Sequence, residues 1–475
     1  MKSSNNFFLI SLILLSFCLH TPFVQAELPV LGDPSRQSIS PAQEYQMGQN
    51  YYQTLKSNHL ILDDVLVNEY IQSLGQTLIS SSEQADLHAT FFIVKANVIN
   101  AFALPGAFIG VNSGLVITAK NEGELAGVLA HEVSHVTQRH IARSMNDSSS
   151  SSATMFAALL AALIMGSQNP NAAAAIFYGG TAAAMQSQIN FTRHNEYEAD
   201  RIGISVLRKA GINPVGMADF FETLLRNSES NNALAQIEFL RTHPLSSTRV
   251  AEARHRLQAS DKSLRNDSLD FQLSRARILV QNSRNKTLLL KRVSSNIQAK
   301  DLPAHYMRAL ILIDMAQYDA ALQTLHSIIQ QHDHPWFQLA LAKTYRLKQN
   351  ISRSNQILHT LSKLYPSYLP VTLAYAESLN QQGKYIQAIQ RLNRQIQHKA
   401  SANAYKKLAQ AYYANGQITS ALEATSYQYE LDGYIQYAAQ QIENALKQEQ
   451  LKPSTLQRLK SRKDYLTALF SKHNN

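Results

Sequence analysis

A chain of 475 residues, 45% of them hydrophobic, is long enough for two or three domains with real cores. Lys and Arg outnumber Asp and Glu, 44 to 34, but no dense basic run interleaved with aromatics occurs. That argues against a nucleic-acid face and leaves a diffusely basic surface, with peripheral membrane contact still open. The one cysteine, Cys18, lies in the N-terminal apolar run, so the mature chain has no thiol for disulfides, catalysis or metal ligation.

The first 26 residues read as a secretory signal peptide: Lys2, the apolar run Phe7 to Phe17, then Val24-Gln25-Ala26 as a small-residue cleavage pattern. Ser40-Pro41 opens a helix to about Leu55, and Asp63 or Asp64 caps a second through Ile71, Leu74 and Leu78. Leu87 to Lys95 reads as a strand. Asn100 to Val111 then gives two short extended runs around the turn signal Pro105-Gly106. An edge formed by Asn100, Ala101, Phe102 and Ala103 could pair with an extended peptide, or be an ordinary hairpin edge.

Leu125 to Arg143 follows, with apolar residues at helical steps and Asn121-Glu124 resembling a capping box at its start. Inside it, His131-Glu132-Val133-Ser134-His135 is an HExxH motif. Residues four apart lie almost one above the other on a helix, so the two histidines point at one spot as ligands of a single metal. Glu132 stands one step round, able to take a proton from a water held there. The bland alternative is a surface helix with two solvated histidines.

Five serines, Ser148 to Ser152, lead into two apolar stretches broken at Asn169-Pro170, spanning roughly 155–185. Neither reaches the ~20 residues a membrane span needs. They read as a helical hairpin, buried or lid-like. A helix carrying Glu196 and Asp200 closes at Gly211, and Asn213-Pro214 starts the next. Catalytic zinc usually takes three protein ligands, and Glu196 is the best candidate for the third, with Asp200 one turn along on the same face, where it could accept from His131 and fix its tautomer. Glu198 projects to another face, while His140 and His194 are set aside as ligands. His243, before Pro244 in RTHPLSSTR, could donate to an oxyanion or reach the metal as a fourth ligand; a lone loop histidine is more often solvated.

The chain changes character after a polar boundary at Ser260 to Ser268. Four helical hairpins turn at Ala316, Asn350, Gly383 and Gly416, with alanines ahead of them at 309, 342, 376 and 409. Tyr318, Ser352, Tyr385 and Ile418 follow two residues after the turns, and Ala321, Asn355, Ala388 and Ala421 five after. This period is the tetratricopeptide signature, with the second repeat the weakest member and the helices past Asp432-Gly433 capping the array. The expected architecture is an α+β, gluzincin-like domain, mostly helical with a small sheet, followed by an all-α solenoid. The segments are 1–26 (signal peptide), 27–262 (metallopeptidase) and 263–475 (repeats).

HEVSH, NEYEAD, NAFALPG and THPLSSTR occur in one chain and together resemble the zinc metallopeptidase family of the HtpX and CAAX prenyl proteases. The resemblance implies one zinc held by His131, His135 and Glu196, a catalytic Glu132, an orienting Asp200, and His243 near the metal, holding the site closed. It offers Asn100 to Ala103 as a substrate edge. The signal peptide and repeats point to the family's periplasmic members, which degrade stalled outer-membrane β-barrel proteins or help them assemble. The implied partners are such unfolded barrels and, through the solenoid, the barrel-assembly machinery. Two other readings stand beside it: a non-catalytic periplasmic chaperone with a structural metal, and a membrane-embedded protease in which 155–185 inserts.

Overall fold

A computed structural model describes residues 40–147, 185–228 and 239–473. The expected signal peptide and, up to residue 184, the expected apolar hairpin lie outside the described residues, and no helix among those described is long and apolar enough to cross a membrane.

Helix α1 (Pro41–Ser57) starts at Ser40 with a full capping box to Gln43, and α2 (Val65–Ser80) is capped by Asp64, not Asp63. Strands β1 (Thr90–Val94), β2 (Ala101–Leu104) and β3 (Phe108–Asn112) form one sheet among the described residues, in the order β1-β3-β2. The expected hairpin is β2–β3, its turn made by Gly106 and Ala107, both at positive φ (70° and 65°). Gly106 also has no room for a side chain, since a Cβ there would lie 2.3 Å from the Tyr45 backbone of α1. Parallel pairing of β1 with β3 leaves β2 on the outside. The Asn112 N–H donates to the Asn100 carbonyl. By the alternation of an antiparallel ladder, Ala101 and Ala103 turn their N–H and C=O away from β3.

After the short α3 (Ser113–Thr118) comes the central helix α4 (Glu122–Thr137). Nearly every residue of it is buried, which rules out a solvated histidine face. Asn121 caps it by accepting from the Glu124 N–H, but the reciprocal half of a capping box is absent because the Glu124 carboxylate accepts from Lys120 N–H. The continuous helix expected to Arg143 breaks at Gln138, where Arg139 takes φ 52°, and a separate α5 (His140–Asp147) follows. The apolar periodicity carries across this break, so pattern alone could not see it.

Helices α6 (Met185–Lys209) and α7 (Val215–Ser228) pack on α4, separated by Gly211 at φ 72° as expected. The one-turn α8 (Phe239–Thr242) delivers His243, and Ser246 caps α9 (Ser247–His255). A 3-10 turn (Ala259–Ser263) is pinned to α6 by Arg208, which donates to both oxygens of Asp261.

The C-terminal half is α10 (Leu269–Asn282) and α11 (Lys286–Asn296), then α12 (Leu302–Asp314) with α13 (Tyr318–Gln331), and α14 (Pro335–Leu347) with α15 (Ile351–Leu364). Next come α16 (Leu369–Gln381) with α17 (Tyr385–His398), α18 (Ala402–Ala414) with α19 (Ile418–Leu431), and finally α20 (Ile435–Leu446) and α21 (Pro453–His473). The first helix of each of the four repeats ends with the same backbone bond: Gln317, Asn350, Lys384 and Gln417 donate to the carbonyls of Leu312, Tyr345, Leu379 and Tyr412. The left-handed residues are therefore Ala316, Gln349, Gly383 and Gly416, which corrects the expected second turn from Asn350 to Gln349. In that register Ser354, not Asn355, is the small residue five after the turn, and it is fully buried like Ala321 and Ala388. The second repeat thus obeys the pattern, in a register one residue earlier than expected.

The solenoid folds back on the first half. Lys56 pairs with Asp432 at 2.8 Å, Tyr434 donates to the Ser57 carbonyl, and Lys399 reaches Glu69. A cavity of about 700 Å³ remains between them, lined by residues including Tyr52, Lys56, Lys406, Tyr429 and Tyr437. On the other side, Asp64 accepts from Arg277, which lies among buried groups and also donates to Tyr306. Asp64→Ala removes both the α2 cap and the carboxylate partner of a guanidinium that is about one-fifth exposed. Urea denaturation should show a loss of about 3–5 kcal/mol, the usual effect of stranding one half of a buried ion pair.

Candidate metal centre

His131 and His135 stack one turn apart on the inner face of α4, as the HExxH spacing requires. Their Nε2 atoms are 3.0 Å apart. Glu196 from α6 places Oε2 3.3 Å from His131 Nε2 and Oε1 3.3 Å from His135 Nε2, and His243 brings its Nδ1 to 3.3 Å from His131 Nε2 and 3.0 Å from Glu196 Oε1. One donor atom from each of these four residues lies within 4.8 Å of the others, and all four side chains are buried. His243 is thus a member of the cluster rather than a solvated loop histidine. Its ring stacks on Phe239 at 4.7 Å, and Phe239 N–H donates to the Ile99 carbonyl, which ties the segment to the start of the β2 edge.

Glu132 is equally buried, with Oε1 3.4 Å from His243 Nε2 and otherwise without a hydrogen-bond partner. Asp200, one turn beyond Glu196, sits 2.9 Å from His131 Nδ1, where the sequence places it. His194 is exposed and takes no part.

Two further residues, Arg249 and His140, reach the site from outside the donor cluster. Arg249, two residues into the helix after His243, donates to both oxygens of Asp200 at 2.8 Å. Its Nη1 also lies 2.9 Å from Glu196 and donates to the Pro244 carbonyl. The signal was present in THPLSSTR, whose closing arginine reads as part of a basic helix until the fold turns that helix inward. His140 is correctly outside the ligand set, but the break at Arg139 swings its ring back so that Nδ1 lies 2.8 Å from His135 Nδ1. Glu198, on the other face of α6, meets His140 Nε2 at 3.1 Å.

The electrostatics match this layout. Burial works against a charged His131, but the Glu196 and Asp200 carboxylates outweigh it and push its pKa up to about 10. The same carboxylates favour a cation in place of that proton. Burial pushes His135 down to about 4, so its ring stays neutral, as a ligand must be. Burial opposes ionised Glu196 and Asp200 as well, yet Glu196 is held well below the usual range by His243 and His131, and Asp200 below it by His131 and Arg249. Three ring nitrogens and an ionised carboxylate converging on one buried point, with a partnerless Glu132 oxygen beside them, fit a small divalent cation.

A family model described as Peptidase family M48 matches residues 66–257. The Beta-barrel assembly-enhancing protease of Escherichia coli (strain K12) is 33% identical over 450 residues, covering 93% of this chain and 91% of that protein. The protein of the same name from Yersinia pestis is 33% identical over 330 residues, 68% of this chain and 67% of that protein. Among solved structures, MamA MSR-1 C2 is similar over 34% of this chain and 94% of its own, at 17% identity and a TM-score of 0.28. The chain belongs to peptidase family M48: it is a metallopeptidase in which the HExxH helix, α6 and the following histidine segment bring together a buried cluster that could hold a metal ion, with helical repeats attached.

Proposed function

We propose that the protein is a periplasmic zinc endopeptidase of outer-membrane β-barrel quality control, cleaving barrel proteins that have stalled or misassembled. The observation that carries the reading is the convergence of His131, His135, Glu196 and His243 on one buried point with Glu132 beside them. Zinc is favoured by the nitrogen-rich donor set. Donors about 2.0–2.1 Å from a tetrahedral ion lie roughly 3.3 Å apart; here the two α4 nitrogens are 3.0 Å apart and each is 3.3 Å from one of the two Glu196 oxygens, within a four-residue cluster whose donors lie within 4.8 Å of one another.

When bound, the ion supplies Lewis acidity toward a peptide carbonyl and an attacking water. Glu132 accepts the proton of that water and returns it to the departing amine. Asp200 fixes the His131 tautomer by accepting from Nδ1–H, and Arg249 holds Asp200 and Glu196 in place. The outward groups of Ala101 and Ala103, with Asn100 and Phe102, pair an extended substrate as an added strand. His243 closes the site beside Glu132 until substrate displaces it. Residues 1–26 direct export, 27–262 form the peptidase and 263–475 the repeats. The cavity between the two halves faces the barrel-assembly machinery. The E. coli and Yersinia pestis relatives, named for barrel assembly, support this choice of substrate.

The test is cleavage of an unfolded outer-membrane barrel protein by the chain from Glu27 onward. Cleavage should stop on chelation and return on adding zinc. Cleavage that persists in chelator would overturn the reading.

A further inference from the structure

The two α4 histidines have different supports on the side away from the donor cluster. His131 Nδ1 meets a carboxylate, Asp200, whereas His135 Nδ1 meets another imidazole nitrogen, His140 Nδ1, at 2.8 Å. Two imidazole nitrogens at that distance share one hydrogen, and the rest of the geometry decides its owner. His135 turns Nε2 toward His131 and Glu196, so that nitrogen must be bare to ligate and Nδ1 carries the hydrogen. His140 therefore accepts at Nδ1 and carries its own hydrogen on Nε2, which donates to Glu198 Oε2 at 3.1 Å. Arg143 stands 3.5 Å from the same oxygen. Each step admits one tautomer.

We propose that His140, anchored by Glu198, is a positioning residue of the metal centre that fixes the tautomer and ring orientation of His135. The chain His135–His140–Glu198 does on one side of the centre what Asp200 does on the other. Its parts come from local structure: the left-handed Arg139 ends α4 and starts α5, and only that change of direction brings His140 back under His135. On a helix continued to Arg143, His140 would point away. His140 is buried, so its hydrogen-bonding groups are met by protein partners rather than water. Glu198 is about one-fifth exposed and ends the chain at the surface.

The inference rests on the zinc reading, and the experiment separates the two. Zinc affinity is measured by chelator competition on the full mature chain, with His131→Ala as the ligand-loss control. Wild type should bind one zinc and His131→Ala none. His140→Leu should bind 10- to 100-fold more weakly, the usual cost of removing the group that orients a ligand histidine. His140→Asn, whose Oδ1 can accept from His135 Nδ1–H, should recover most of that loss. Glu198→Gln, which keeps an acceptor, should sit near wild type. Visible absorption of the cobalt-substituted protein should shift in His140→Leu and return in His140→Asn, a change that loosened packing alone would not reverse. Thermal melts in chelator show which variants remain folded. Equal zinc affinity in wild type and folded His140→Leu overturns the proposal while sparing the zinc site, as does failure of a folded His140→Asn to restore affinity. Wild type without zinc overturns both.

Discussion

Glu132→Gln is expected to retain stoichiometric zinc and the fold while cutting turnover by about 10²–10⁴-fold, the contribution of a positioned general base. Glutamine keeps the shape of a side chain that is 1% exposed, so packing around α4 does not change. What disappears is an acceptor for a proton. Glu132 lies next to His131 in sequence, but its Oε1 faces His243 Nε2 rather than the shared ligand point, so it is available to water instead of committed as a ligand. Turnover of an unfolded barrel protein, measured beside zinc content, decides the matter. A variant that still cleaves at the wild-type rate removes Glu132 from the reaction, and a variant that loses zinc makes it a structural residue.

The second large effect is expected at Arg249. Its guanidinium, 3% exposed, bonds both oxygens of Asp200 and stands 2.9 Å from Glu196, so one cation serves two buried carboxylates. Arg249→Leu fills the space but leaves those carboxylates with the histidines alone. Losing one partner of a buried ion pair costs about 3–5 kcal/mol. Urea denaturation in chelator should show that loss. With zinc present it should be smaller, because an ion held by Glu196 restores positive charge at the same place. Arg249→Lys should recover only part, since a point charge cannot make the two-pronged contact to Asp200. A loss below about 1 kcal/mol in chelator, well under the buried-pair range, would mean that the carboxylates are satisfied without the arginine.

The chemistry was legible in the chain because it depends on spacing within single helices. A four-residue step puts His131 under His135, and another puts Asp200 one turn from Glu196, whatever surrounds them. The repeats were legible for the same reason, since a buried small residue at a fixed offset from each turn is a local demand. The second turn departs from residue-type preference: Gln349, not the adjacent Asn350 whose type favours left-handed backbone, takes the positive φ.

Three features were decided elsewhere. The inward turn of the helix carrying Arg249, the burial of His243 against Phe239, and the return of His140 to His135 all depend on where a chain break points the next segment. A single positive φ at Arg139 redirects everything after it, and neither composition nor apolar period changes there. By itself the sequence determined the reaction class, the placing of His131 and His135 at one point as candidate ligands, and the repeat period, because periodic positions on one helix fix which side chains share a face. Tertiary structure alone decided which buried partners hold those ligands, because a buried charge or tautomer is satisfied by whatever the packed fold brings within about 3 Å of it, at any distance along the chain.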